Sequence, residues 1–246
     1  SSMRLAIDAV KEHKADAVIS AGNTGALMAM ATIVLKTLPG ISRPAIASSF
    51  PTQAGDSVML DLGANVECDS NNLVQFAVMG EVYARNELGL SQPSVGILNV
   101  GVEGLKGNDS VRDAAAILKN SNLPLEFYGF IEGDDIGKGT VDVIVTDGFT
   151  GNIALKTAEG TAQMIAYFLK DALKSSILSK AGALLARPAI EKVRSHFDPR
   201  RYNGALLLGL NGICVKSHGG TDEVGFAHAI QVGVNLVRRD LNDLIK

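Results

Sequence analysis

The sequence predicts an α/β fold in which strands and helices alternate along the chain, and three observations carry that prediction. Val141, Val143, Ile144 and Val145 form a β-branched run that reads as a buried strand. The run breaks at Asp147-Gly148, a turn-forming pair, and restarts at Thr150-Gly151-Asn152 into a long helical pattern. The same order of strand, glycine-containing polar turn and helix recurs elsewhere. The chain is also long enough, at 246 residues and 46% hydrophobic, to bury a sizeable core as one large domain or two subdomains.

Taken in order, Met3 to Lys14 has apolar residues at Met3, Ile7 and Val10, a helical spacing. Ala17-Val18-Ile19 is a short strand, followed by the turn Ser20 to Gly25 and a helix to about Leu38. After a loop from Pro39 to Pro44, Ala45–Phe50 and Ser57–Leu62 read as two strands joined at Thr52–Asp56. Polar residues cluster where the second strand ends, at Asp61 to Glu67, and a helix spans about Asn72 to Leu88. Val95–Val100 is a strand, Asn99 to Asn108 a glycine-rich loop, and a helix then runs to about Leu118. Leu125–Phe130 is a strand and Glu132–Thr140 a polar loop. Helix is expected from Asn152 to about Leu173 and again from Ala181 to His196, with Pro188 at a kink or first helical position. Ala205–Val215 reads as one last strand, and a helix from Val224 to Ile245 closes the chain. Opening on a helix with no strand before it implies an α/β domain truncated at its N-terminus.

Several function classes are excluded by pattern. No apolar run approaches the roughly 20 residues that span a bilayer, and no charged-then-apolar leader is present. A net charge of −3 gives no global attraction to nucleic acid. Cys68 and Cys214 match no metal or redox spacing, which points to a reducing, cytoplasmic setting. His13, His196 and His228 offer no ligand spacing, so no metal is expected. The G-D-D-I-G-K-G-T stretch fails as a P-loop because Glu132 holds the first glycine position and Gly139 follows the lysine. Gly101, Gly104 and Gly107 are spaced G-x-x-G-x-x-G, not the dinucleotide fingerprint, and no Gly-x-Ser-x-Gly elbow exists.

What remains are the turns. A strand that turns on glycine into a helix leaves free backbone N–H groups at the positive end of the helix dipole, a natural anion site. Gly22, Asn23, Thr24 and Gly25 form one such turn, and Asp147, Gly148, Thr150, Gly151 and Asn152 another. In open parallel sheets ligands bind beyond the carboxyl ends of the strands. Four or five such turns converging on one cleft would suit an oxyanion or phosphate. Lys106, taken alone, reads as a solvated surface lysine; the glycines around it allow a ligand close to the backbone. His218, in a Lys-Ser-His-Gly-Gly turn, is equally consistent with a structural role.

Lys170 to Arg201 differs in character. Eight basic residues face three acidic ones there, a local charge of +5 that leaves −8 for the rest. Ile177, Leu178, Leu184 and Leu185 lie among Lys180, Arg187 and the other bases. A basic helical hairpin at about 165–201 with an apolar tip suits an anionic membrane surface or an acidic protein; a dimerisation hairpin with a solvated rim is the other reading.

Five stretches taken together resemble one family. They are S-A-G-N-T-G-A-L-M from Ser20, L-D-L-G-A-N-V-E from Leu60, N-V-G-V-E-G-L-K-G from Asn99, T-D-G-F-T-G-N from Thr146, and the Gly204–Gly219 block ending V-K-S-H-G. In this order they resemble the PlsX-type phosphate acyltransferases of bacterial phospholipid synthesis. The resemblance implies transfer of a fatty acyl group from acyl carrier protein to inorganic phosphate, without a cofactor. It implies a three-layer α/β/α architecture similar to phosphotransacetylase and the isocitrate and isopropylmalate dehydrogenases. It further implies a homodimer, cytoplasmic and peripherally associated with the membrane, where an acyl-phosphate:glycerol-3-phosphate acyltransferase uses the product. The family's loop lysine falls on Lys106 and the asparagine of its D-G-F-T-G-N turn on Asn152, which makes these the catalytic candidates. Asn65, Glu67, Asn99, Glu103, Asp147 and His218, with the two glycine turns, are the phosphate- and substrate-binding candidates. The family's opening strand and its Asp-Ala-Met-Gly-Gly-Asp motif have no counterpart here.

The residues suggest a mechanism in which phosphate itself is the nucleophile. Gly22–Gly25 and Thr150–Asn152 would hold it, Lys106 would neutralise its charge, and Asn152 would hydrogen-bond phosphate or the thioester oxyanion. The alternatives are a phosphotransacetylase-like enzyme using acyl-CoA, a decarboxylating dehydrogenase, for which no acidic metal cluster is evident, and a non-catalytic adaptor for membrane or carrier protein.

Overall fold

The computed structural model describes residues 1–245. Strands are β1 (Ala17–Ser20), β2 (Ala45–Thr52), β3 (Gly55–Leu60), β4 (Ser94–Leu98), β5 (Glu126–Ile131), β6 (Val143–Val145), β7 (Ala205–Leu208) and β8 (Ile213–Lys216). Helices are α1 (Ser2–Lys11), α2 (Thr24–Leu35), α3 (Ser70–Leu88), α4 (Asp109–Asn120), α5 (Gly133–Lys138), α6 (Gly148–Lys174), α7 (Ile177–Leu185), α8 (Arg187–His196), α9 (Glu223–Arg238) and α10 (Leu241–Ile245). The strands form one eight-stranded sheet in the order β1-β8-β7-β2-β3-β6-β4-β5.

The two-residue period of the strands sorts their side chains into two cores. Val143 and Val145 face the core that holds α3, α4, α9 and α10, while Ile144 faces the core of α1, α2, α5 and the start of α6. Val58 and Leu60 go to the first core and Met59 to the second. Helices thus cover both faces of the sheet, giving three α/β/α layers. Side-chain caps define most helix starts: Asp69 and Asn72 close a reciprocal capping box on α3, and Asn108 and Asp222 cap α4 and α9.

The sheet is mixed, not parallel. β3, β6, β4 and β5 run together, whereas β2 is antiparallel to both β3 and β7, and β8 is antiparallel to β7. Among the described residues β1 pairs with β8 alone, in parallel, through Ala17↔Ile213 to Ser20↔Lys216. These registers make β1 and β8 run opposite to the β3–β6–β4–β5 half.

Three expectations need correction. The polar stretch Glu132–Thr140 contains helix α5: Glu132 and Asp135 cap it reciprocally, and Lys138 pairs with Asp134 and Asp135. Ala205–Val215 is two antiparallel strands with a turn between them, where Gly209 takes φ +95°. The closing helix breaks at Asp240 into α9 and α10.

The basic segment forms α7, α8 and the second half of α6, with Pro188 in the first turn of α8. No residue of α7 or α8 is buried, and α6 buries only Gly148 and Gly151. Ile177, Leu178, Leu184 and Leu185 are 70–88% exposed, and Met164, Ile165, Tyr167 and Phe168 of α6 are also exposed. Among the described residues no helix is long and apolar enough to cross a membrane.

Candidate active site

The strand directions divide the polar turns into two groups. The turns after β3, β4 and β6 leave one edge of the sheet, while those after β1 and β8 leave in the opposite direction. Among the described residues no hydrogen bond links the groups, so the expected single convergence of all the turns is not what the chain builds.

The first group is organised around Asp61, which sequence reading had only as part of a polar cluster. Its side chain is 0% exposed. Oδ1 accepts from the N–H groups of Ile46 (3.0 Å), Gly63 (3.1 Å) and Ala64 (2.9 Å). Oδ2 accepts from Asn65 N (2.7 Å) and Asn65 Nδ2 (2.9 Å). Burial pushes its pKa up, and these donors pull it back. The loop 61–65 is therefore wound around one carboxylate. Asn65 also donates Nδ2 to Pro44 O at 2.8 Å, so its side chain is committed to structure.

The loop meets the start of α6. Gly148 N–H donates to Asn65 O at 2.7 Å. A methyl carbon at Gly151 would lie 2.9 Å from Thr146 Cγ2 and 3.1 Å from the Asp61 carbonyl carbon, with that carbonyl's oxygen closer still. Only glycine lets α6 approach β3 this closely. Asp147 accepts from Thr150 N and Thr150 Oγ1, both at 2.8 Å, and its carbonyl accepts from Gly151 N. Among the described residues, Phe149 alone of the first four N–H groups of α6 has no partner. The expected backbone anion cradle at this helix start is thus largely filled by the chain itself. Asn152 is different. It is exposed, its carboxamide has no hydrogen-bond partner among the described residues, and it packs beside Gly63.

One strand further along, Asn99 to Asn108 forms a closed loop. Asn99 is turned inward and only 9% exposed, donating Nδ2 to Gly101 O (3.0 Å) and Lys106 O (3.1 Å). Lys106 N–H donates to Glu103 O at 3.0 Å. The Lys106 stem lies over Gly101, where a methyl carbon would sit 3.1 Å from Lys106 Cγ and 2.7 Å from Glu103 Oε2. Lys106 is exposed and Nζ has no hydrogen bond or ion pair among the described residues. Glu103 and Glu67 are likewise exposed, and neither carboxylate forms an ion pair among the described residues. Cys68, beside the Asp61 loop, has its thiol pushed up to about 11, by burial first and then by Asp61.

The second group surrounds Asn203. Its Nδ2 donates to Ser217 Oγ (2.9 Å) and Gly225 O (2.6 Å), and its Oδ1 accepts from His218 N (2.7 Å). His218 is exposed, and Nδ1 accepts from Gly220 N at 3.1 Å, which leaves Nε2 facing out as the donor. Asn23 caps α2 through Ala26 N at 2.9 Å, and Gly22 N donates to Ser20 Oγ at 3.2 Å. Among the described residues the N–H groups of Thr24 and Gly25 have no partner, which leaves this helix start open. Lys216, absent from the sequence candidates, lies beside Ser20 in the sheet; burial lowers its pKa and its amine donates to Ser217 O. The membrane- or partner-contact candidates Ile177, Leu178, Lys180, Leu184, Leu185 and Arg187 lie apart from both groups, on α7 and at the start of α8. Among the described residues no group of His, Cys, Asp and Glu is arranged to hold a metal ion.

A family model described as "Fatty acid synthesis protein" matches residues 1–244. The phosphate acyltransferase of Paramagnetospirillum magneticum is 64% identical over 246 residues, covering 100% of this chain and 70% of that protein. That of Rhodospirillum centenum is 66% identical over 246 residues, covering 100% and 69%. Among solved structures, a phosphotransacetylase from Streptococcus pyogenes has a TM-score of 0.66 at 20% identity, over 96% of this chain and 67% of that one. The EutD phosphotransacetylase from Staphylococcus aureus has a TM-score of 0.61 at 18% identity, over 98% and 67%. Those two likenesses are of fold.

Proposed function

Because this chain belongs to the fatty acid synthesis protein family, we propose that it makes acyl phosphate by moving a fatty acyl group from the thioester of an acyl carrier protein to inorganic phosphate. It is an acyltransferase with phosphate as acceptor. The observation that carries the site is that the two catalytic candidates, Lys106 and Asn152, lie on turns leaving the same end of the sheet, and neither side chain has a hydrogen-bond partner among the described residues while Asp147 and Asn99 beside them are bonded internally.

A phosphate dianion needs no covalent catalyst at neutral pH. A phosphate oxygen attacks the thioester carbonyl carbon, the C–O bond forms and the C–S bond breaks. The phosphate proton passes to the departing sulfur, giving acyl phosphate and carrier thiol. Thiols have pKa values near 8.5, so the leaving group needs little assistance. The Lys106 ammonium offsets the phosphate charge. The Asn152 amide donates to the carbonyl oxygen as it becomes an oxyanion, a contribution of about 10²–10³ in rate for a preorganised donor. With the α6 start capped by Asp147, anion binding falls to these side chains more than to backbone N–H groups.

The exposed apolar residues of α7, set in a segment of net +5, are the face that meets an anionic membrane, where a downstream acyltransferase consumes the product. A homodimer is the assembly in which the reaction runs. The test is acyl phosphate formation, read by mass spectrometry, from phosphate with long-chain acyl carrier protein or long-chain acyl-CoA as donor. Carrier-dependent product that falls about 10²–10³-fold in Lys106→Ala, with unchanged circular dichroism, is the expected result. Lys106→Ala turning over like the parent removes that lysine from the reaction. Product from CoA alone makes the chain a phosphotransacetylase-like enzyme, and carrier binding without product makes it an adaptor.

A further inference from the structure

Asn99 lies in the loop of the proposed catalytic lysine, yet its geometry is not that of a ligand. It is more than nine-tenths buried, and both hydrogens of its amide are spent on the carbonyls of Gly101 and Lys106, at 3.0 and 3.1 Å. The loop is thereby tied across its mouth by one carboxamide. Oδ1 is buried and has no hydrogen-bond partner among the described residues. It sits under Gly107, which takes φ +90°; a methyl carbon there would be 2.9 Å from Asn99 Cγ and 3.1 Å from Nδ2, and closer still to Oδ1. A buried acceptor left unpaired carries a desolvation cost, and the chain sustains it here.

The tie falls on Lys106. Its carbonyl is held by Asn99 and its N–H by Glu103 O, so an exposed residue has both backbone polar groups bonded. On the far side, Arg112 donates to Gly107 O at 2.6 Å and pairs with Asp109, which anchors the loop's exit to α4. Only the Lys106 side chain remains free, with its stem over Gly101.

We propose that Asn99 is a positioning residue: its buried carboxamide holds the backbone of Lys106 in place, so that Nζ is set for the acceptor phosphate before substrate arrives. The inference rests on the role given above to Lys106. Fixing the backbone in advance removes an ordering cost from the reaction, and a misplacement of about 1 Å at such a centre costs on the order of 10²-fold in rate.

The experiment is a double-mutant cycle on the whole chain, with acyl phosphate formation at varied phosphate. Asn99→Asp keeps the size and Oδ1 but turns an oxygen toward two carbonyls. It lowers kcat/KM for phosphate about 10²-fold where Lys106 is present. In the Lys106→Ala chain the same substitution changes the rate by no more than about twofold, the scatter of independent sites. Hydrogen exchange of amides 101–107 rises in Asn99→Asp while the core strands stay protected. An equal loss in both backgrounds, or no loss, overturns the positioning role with Lys106 intact. A Lys106→Ala chain as active as the parent instead overturns the reading of the lysine. Should Asn99→Asp fail to fold, Gly107→Ala strains the same tie from the other side and is expected to show the same dependence on Lys106.

Discussion

Replacing Gly148 by alanine tests how closely the start of α6 must sit on the Asp61 loop. A methyl carbon there would lie 2.6 Å from Asn65 O, 2.9 Å from Asn65 N and 2.9 Å from Asp61 Oδ2. Two of these atoms are backbone and the third is held by two donors from Asn65, so none can rotate away. Relief requires α6 to lift by about 0.5–0.8 Å. Overpacking of this kind costs about 1–3 kcal/mol. The lift also stretches the Gly148 N–H to Asn65 O bond from 2.7 Å toward its limit, worth about 1 kcal/mol, while alanine returns up to about 1 kcal/mol of helix propensity. The net is a loss of about 1–4 kcal/mol, or roughly 2–16 °C in Tm for a chain of this length. Gly160→Ala is the control. It lies in the same helix with open space around it, so propensity alone should raise stability by about 0.8–1 kcal/mol. Paired thermal melts by circular dichroism read both. If Gly148→Ala melts at or above the parent, as Gly160→Ala is expected to, the close seating of α6 on the loop is wrong.

Two further outcomes follow from the surface. Leu184→Glu with Leu185→Glu should weaken co-sedimentation with anionic liposomes and leave the melting profile unchanged, since α7 buries no residue; unchanged sedimentation would leave dimerisation as the role of that segment. The Arg200 guanidinium bridges Asp198 and Asp222 and holds the Asp198 carboxyl down to about 2, with Asp222 also lowered. A lowered folded pKa stabilises above the unfolded value and is lost as pH falls from about 4 toward about 2. The melting difference between the parent and Asp198→Asn should therefore shrink across that window, and a difference constant with pH would refute the assignment.

What could be read in the sequence was local. The Val143–Val145 strand, its exit at Asp147 and the helix beyond follow from β-branching and one capping carboxylate, all within ten residues. The Lys106 loop was legible as a loop through its glycines. Strand direction was not legible, because it is set by pairings such as Ala17↔Ile213 that no local pattern encodes. The division of the polar turns into two groups was hidden for the same reason. Helix α5 was missed because two glycines and two aspartates mask a helix made by reciprocal capping. Asp61 and the inward turn of Asn99 depend on burial, which residue type does not reveal. Polar residues at strand ends were read as candidate ligand groups, and Asn65 and Asn99 among them bond within the chain instead.

The pairing of β1 with β8 sets an order of events during synthesis. Strands β2 through β6 lie within residues 45–145 and can register with one another as soon as that stretch has left the ribosome. β1 emerges earlier, and among the described residues its neighbour in the sheet is β8, which follows it far along the chain. Closing so long a loop is entropically costly and slow. Until translation reaches residue 216, the β1 strand around Val18 lacks its β8 partner, while the apolar face of α2 shares its core with Ile46, Met59 and Ile144 of strands made earlier. Until β8 is made, β1 lacks the partner that covers that side of it, an interval in which holding chaperones and premature aggregation compete for the exposed strand.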